Sequence, residues 1–276
     1  MTVPADLPDR RYKLTLHYDG ERFRGWQHQP SGRTVQGEVE AALERLTGRP
    51  TSVVAAGRTD TGVHAIGQVA SAVLPARWTE ATIERALNAV LPTDVWIAAV
   101  QQVPMAFHAR YHAVGRGYLY RVGVRRDTRS PFHRRWCWPL IRDLNADALH
   151  DAAARFHTTH DFRRFARSGQ PERGSQCTII RSEWAEWGGA GYEYRVVANR
   201  FLHHMVRYMV GTMIDIARGR RPADDVDALL GAAPGVVTSR PSPAAGLCLV
   251  RIYYDQHELA AESGSAGTTT GRERHA

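Results

Sequence analysis

Gly57-Arg58-Thr59-Asp60-Thr61-Gly62-Val63-His64-Ala65 stands between two apolar runs, Ser52–Ala56 and Gly67–Leu74, each of strand length. A polar loop with a glycine at either end, held between two strands, marks a sheet that presents its chemistry on a connection. Working outward, Tyr12, Leu14, Leu16 and Tyr18 recur at every second residue and predict a half-buried strand. Thr34 can cap a helix whose Val35, Val39, Leu43 and Leu46 share one face, with Gly48 and Pro50 as its stop. Ile83, Leu87, Val90 and Leu91 predict a second helix ending before Pro92, and Val95–Val103 a further strand.

The same grammar returns after residue 112. Val114–Val124 alternates, with Tyr118, Tyr120 and Val122 on one side. Leu149, Ala153 and Phe156 suggest a helix; Cys177–Trp187 and Tyr192–Ala198 flank Gly188-Gly189-Ala190-Gly191, a hairpin signal. Val206, Met209, Val210, Met213 and Ile214 form a wide helical stripe, and Leu247–Tyr254 is the last strand. Mixed strands and helices in two similar sets, with hairpins, predict an α+β (α/β) architecture containing antiparallel sheet. The boundary is expected between Pro104 and His112. It divides the chain into a unit of residues 11–108 carrying the 57–65 loop and a unit of residues 109–256, with mobile ends at 1–10 and 257–276.

The composition excludes several classes of function. The 276 residues carry a net charge of +8, which favours a polyanionic partner and nucleic acid above all. Lys13 is the only lysine among 36 basic residues, and it lies in a strand pattern without a phosphate-loop glycine signature, so Schiff-base and P-loop chemistry are excluded. Cys137, Cys177 and Cys248 are odd in number and far apart, which specifies neither a disulfide framework nor a paired-cysteine zinc site. No apolar run reaches the ~18 residues of a membrane span, and residues 1–11 lack the apolar core of a secretion signal. A soluble cytoplasmic protein is expected.

An isolated Asp-Thr-Gly reads first as a turn in which the carboxylate caps nearby amides. In an extended segment, however, Arg58 and Asp60 fall on the same side, and a guanidinium there favours the charged carboxylate. Further motifs accompany this loop: Tyr18-Asp19-Gly20 with Gly25-Trp26-Gln27, Phe107-His108-Ala109-Arg110-Tyr111, Arg116-Gly117-Tyr118-Leu119-Tyr120, Asn199-Arg200-Phe201-Leu202-His203-His204-Met205-Val206-Arg207 and Ala245-Gly246-Leu247. In this order, over Tyr12 to Tyr254, the chain resembles the tRNA pseudouridine synthase A family.

The resemblance implies two ferredoxin-like (RRM-like) subdomains joined around a basic central cleft. It implies isomerisation of uridine to pseudouridine at positions 38, 39 and 40 of the tRNA anticodon stem-loop, with no cofactor and no metal, by a homodimer. Asp60 matches the family's catalytic nucleophile, Tyr118 the tyrosine that packs on the target base, Arg58 an arginine of base flipping, and Arg207 a basic neighbour of the carboxylate. RNA contacts are expected from Phe107, His108, Ala109, Arg110 and Tyr111. Arg126 is expected to track phosphate from the arginine cluster beside the Tyr118 strand.

Two further patterns bear on the site. His203-His204 could suggest a metal, but adjacent residues on a helix diverge and neither has a carboxylate at i+4, so a structural or RNA-facing role is expected. In Ser168 to Thr178, Gly174-Ser175-Gln176-Cys177-Thr178 lacks the arginine of the family's Ser-Arg-Thr-like stretch. The alternative to an enzyme is a catalytically silent RNA-binding protein using the same cleft, for which a carboxylate among phosphates would be a disadvantage.

Overall fold

The computed structural model describes residues 8–167 and 174–264. The strands are β1 (Asp9–Tyr18), β2 (Val54–Ala55), β3 (His64–Pro75), β4 (Val95–Val103), β5 (Gly115–Gly123), β6 (Trp138–Pro139), β7 (Thr159–Asp161), β8 (Gln176–Trp187), β9 (Gly191–Ala198) and β10 (Leu247–Tyr253). The helices are α1 (Val35–Thr47), α2 (Glu80–Val90), α3 (Pro131–Arg134), α4 (Ala146–Ala154), α5 (Met205–Ala217), α6 (Asp225–Leu230) and α7 (Gln256–Ala261). Local signals act as the sequence predicts. Thr34 accepts the Gly37 amide at the start of α1, and Gly48 ends that helix in the left-handed conformation at φ +75.

The sheet runs β4-β1-β3-β10-β5-β9-β8-β7, with β2 beside β3 and β6 beside β5. Each half follows the split βαβ order: β4-β1-β3-β2 in the first, β10-β5-β9-β8 in the second, antiparallel throughout within those sets. The ferredoxin-like topology and its mostly antiparallel sheets are therefore present twice. The halves do not keep separate sheets. His64 and Ala65 of β3 pair in parallel with Cys248 and Leu249 of β10, fusing them into one. That pairing also explains why β3 starts three residues before the expected Gly67, since the partner lies more than 180 residues away in sequence.

Two apolar clusters form the core. Tyr12, Leu14, Leu16, Val39, Leu43 and Leu87 belong to one; Tyr120, Val122, Phe156, Met209, Met213 and Val226 belong to the other. Leu249 and Ile252 of the last strand pack in the first cluster while Leu247 packs in the second, so β10 locks the halves together. Fully burying one such side chain is worth roughly 1.5–3 kcal/mol, which makes this shared strand a substantial fastener. The Met205-Met209-Met213 row is buried, as its helical spacing predicts.

The ends are ordered further than expected. Asp9 and Arg10 already pair with Pro75 and Leu74, and Asp255 caps α7, whose Leu259 is buried against Val197 and Tyr253. A buried leucine and the Arg181–Glu262 ion pair of 2.9 Å hold a segment that has no periodic apolar pattern. The rest of the predicted tails, and residues 168–173 of the stretch that departs from the family pattern, lie outside the described residues.

Candidate active site

The Asp60 loop is clamped by the segment that follows β1. The Tyr18 hydroxyl and Thr59 Oγ1 are 2.8 Å apart, the Trp26 amide donates to Thr59 O at 3.1 Å, and the Gly62 amide donates to Phe23 O at 3.3 Å. From the β3 side, Gln68 Nε2 donates to Gly57 O at 2.9 Å. Gly25 has φ +84, and a Cβ there would stand 2.6 Å from Thr59 O; only glycine allows this approach. The Tyr18–Trp26 motif is thus the cradle of the 57–65 loop. Burial holds the Tyr18 phenol protonated well above its ordinary value of 10, which keeps it a neutral hydrogen-bonding clamp.

Asp60 lies at the seam of the halves, its side chain about one-fifth exposed. Three groups from the second half surround the carboxylate. His203 Nε2 is 3.2 Å from Oδ1, His204 Nε2 is 3.3 Å from Oδ2, and an Arg207 guanidinium nitrogen is 3.8 Å from Oδ2. Arg207 cannot swing away, because its Nε donates to Ser242 O at 2.7 Å and its own carbonyl accepts the Ser242 amide at 2.9 Å. Burial lowers the pKa of His204 from its ordinary 6.5, outweighing the pull of the Asp60 charge, and Arg207 and His203 push the same way as burial.

Tyr118 stands on β5 beside this carboxylate, half-buried, its ring edge-on to Phe201 with centroids 5.1 Å apart. Burial first, and the Asp60 charge second, hold its hydroxyl protonated above the ordinary 10. It offers a neutral aromatic platform and a hydroxyl donor, not a base. Thiol chemistry is excluded near neutrality: burial pushes Cys137 and Cys177 up to about 11 and Cys248 to about 12. A fixed carboxylate beside a cation and an aromatic face suits attack on, or proton transfer from, a planar ring compound.

Arg58 is exposed, and among the described residues nothing pairs with it. In place of the expected Arg58–Asp60 partnership, Arg207 and the two histidines stand against the carboxylate. Within 107–111, Phe107 packs on Tyr254 and His112, and Ala109 is fully buried with its carbonyl accepting the Tyr254 hydroxyl at 2.9 Å. The Ala109 side chain therefore offers no surface to RNA. Arg110 and Tyr111 face solvent, and His108 stacks on Tyr111 at 4.2 Å. Arg126 is exposed at a polar hollow of about 440 Å³ lined also by Arg129, Arg142 and Arg218.

The histidine pair overturns the expectation of divergent rings. The two residues precede α5 instead of lying on it. His204 sits in the left-handed region at φ +64, and the rings converge with centroids 4.2 Å apart. Arg116 was also outside the expected set. It donates to the carbonyls of Ala56, Arg110, Ala113 and Asn199, tying the segment leading to Asp60 to the 107–113 segment and to the strand end before Phe201. Arg116 and Phe201 both stand in motifs read from the sequence, next to Tyr118 and His203, but nothing local in those motifs assigns them these contacts.

The site is an aspartate held by one arginine and two histidines beside a half-buried tyrosine, on a doubled split βαβ sheet. The family profile described as tRNA pseudouridine synthase matches residues 15–112 and 152–255, and the chain belongs to that family. Asp60, Arg58, residues 107–111 and Arg207 fall inside the matched stretches, and Tyr118 and Arg126 between them. Curated relatives bear the name tRNA pseudouridine synthase A. The one from Moorella thermoacetica is 44% identical over 246 residues, covering 88% of this chain and 98% of the relative. Those from Roseiflexus castenholzii and Xanthobacter autotrophicus are 43% and 40% identical, covering 91% and 88% of this chain and 93% and 99% of the relatives.

Proposed function

We propose that this protein isomerises uridine to pseudouridine in the anticodon stem-loop of tRNA, at positions 38, 39 and 40, with Asp60 as nucleophile. The observation that carries the reading is the Asp60 carboxylate, fixed at the seam of the sheet between Arg207, His203 and His204, with Tyr118 beside it. The reaction breaks the N1–C1′ bond, turns the held base and joins C5 to C1′, and the C5 proton leaves as N1 gains one. Nothing is oxidised. Asp60 can serve by adding at C6, by attacking C1′ or by taking the 2′ proton.

The uridine must leave its stack, at a cost of a few kcal/mol. Stacking on Tyr118 returns roughly 1–3 kcal/mol, and the exposed Arg58 enters the vacated position. Arg110, Tyr111 and the Arg126 hollow supply phosphate and stacking contacts, so binding weakens steeply with salt. The units 11–108 and 109–256 act as the two walls of the site. The exposed Ile66 of β3, Trp96 of β4 and Trp136 before β6 line a hollow of about 330 Å³, an apolar surface suited to a second copy in a homodimer. Among the described residues no helix is long and apolar enough to cross a membrane, and the cytoplasm, where tRNA is found, is the proposed location.

The test is release of tritium from uracil C5 of unmodified tRNA transcripts, with nucleotide mapping of the product. Parent protein should release label from the anticodon stem-loop, and Asp60→Asn should abolish release while keeping tRNA affinity within about threefold. Salt-sensitive binding without release by the parent would instead favour an RNA-binding protein.

A further inference from the structure

The histidines beside Asp60 bring two imidazole nitrogens to a single carboxylate. His203 Nε2, His204 Nε2 and a carboxylate oxygen of Asp60 all lie within 4.8 Å of one another, His203 Nε2 standing 3.2 Å from Oδ1 and His204 Nε2 3.3 Å from Oδ2. Zinc binds imidazole nitrogen and carboxylate oxygen at roughly 2.0–2.2 Å, and a tetrahedron of such bonds has edges of about 3.3–3.6 Å. The two nitrogens and one carboxylate oxygen are near enough for small side-chain rotations to bring them to that spacing around one ion. The backbone adds an independent observation. His204 is a non-glycine residue at φ +64, a conformation costing roughly 1–2 kcal/mol, and its side chain makes no helix cap but stands against Asp60.

We propose that Asp60, His203 and His204 form a binding site for a borderline transition-metal cation, Zn²⁺ being the probe, and that its occupation switches the enzyme off. Three protein donors and one open corner make an exchangeable site, unlike the closed four-ligand sites that stabilise folds. Two nitrogen donors of three discriminate against Mg²⁺, which prefers oxygen, so the magnesium that accompanies tRNA does not occupy it. The Arg207 guanidinium, 3.8 Å from Oδ2, opposes a cation and weakens its binding, which keeps the site exchangeable. A bound ion ties up the lone pairs with which Asp60 would attack. The inhibitory part rests on the reading of Asp60 as nucleophile; the binding part does not.

Competition for Zn²⁺ against a chromophoric chelator, with the full chain, measures the site without any assay of activity. The expected result is one Zn²⁺ bound with an affinity that falls at least tenfold in His203→Gln, a change at a half-exposed side chain that leaves the fold intact, and further in His203→Gln/His204→Gln. Millimolar Mg²⁺ should not compete. Equal affinity in parent and variants, or no binding at 100 µM Zn²⁺, overturns the site. In the tritium assay Zn²⁺ should inhibit the parent with a midpoint matching the chelator value, and EDTA should restore release. Undiminished release from zinc-loaded protein overturns the switch. Zinc bound at these residues in a protein that releases no tritium even with EDTA upholds the site and counts against the proposed isomerisation.

Discussion

Gly25→Ala tests whether the post-β1 segment sets the position of Asp60. The new Cβ would lie 2.6 Å from Thr59 O, about 0.8 Å short of the 3.4 Å at which ordinary contact begins, and it would meet the carbonyl that already accepts the Trp26 amide. Alanine must also adopt φ +84, at a cost of roughly 1–2 kcal/mol. Crowding adds about 1–2 kcal/mol more if the loop yields. A total loss of about 2–4 kcal/mol is expected in urea unfolding. The cheapest relief pushes Thr59, and with it Asp60, by most of an ångström, and a 1 Å misplacement of reacting groups costs about 100-fold in rate. Single-turnover tritium release should therefore fall about 10- to 100-fold, while tRNA affinity, set by the basic surface, stays within about threefold. A variant of parental stability and parental rate would refute the clamp. One that loses stability yet turns over at full speed would show that this contact does not position the carboxylate.

Three further outcomes are expected. Arg58→Ala removes an exposed side chain without a partner among the described residues, so stability should change by less than about 0.5 kcal/mol while the single-turnover rate drops; an unchanged rate contradicts its part in flipping. Tyr118→Phe keeps the ring, and because burial and Asp60 hold the parent hydroxyl protonated above 10, the two proteins should give rate–pH profiles of the same shape between pH 8 and 10; an alkaline limb present only in the parent would show the phenol titrating. Burial depresses the pKa of His64 below 6.5, so the unfolded chain binds the proton more readily than the native one. Unfolding free energy should accordingly be level above pH 7 and decline as pH falls through 6.5 towards the native pKa. His64→Gln should make that decline shallower, and an equal slope would exclude His64 as a contributor.

Much was legible locally. Thr34 and Gly48 delimit α1 through short-range capping, Val95–Val103 alternates by strand period, and the 188–191 glycine turn joins β8 to β9, because each of these signals acts within a few residues. The multi-residue motifs around Asp60 and Arg207 likewise identified the family, since the loop chemistry is written contiguously. Leu259 shows the opposite case: its helix has no apolar stripe, and only a tertiary pocket beside Tyr253 and Val197 orders it.

By itself the sequence determined two similar sets of mixed strands and helices, the basic balance and the residues of the 57–65 loop, all of which follow from periodicity, composition and short spacing. Tertiary structure alone decided how those residues meet. The parallel pairing of His64–Ala65 with Cys248–Leu249 fused the sheets at the Asp60 seam. Two histidines before α5, with His204 in a left-handed turn, and Arg207 held by Ser242 meet that carboxylate, while Arg58 stands in solvent. Strand pairing across more than 180 residues and a single positive φ carry no local period in the sequence, and their effect exists only once the chain is packed.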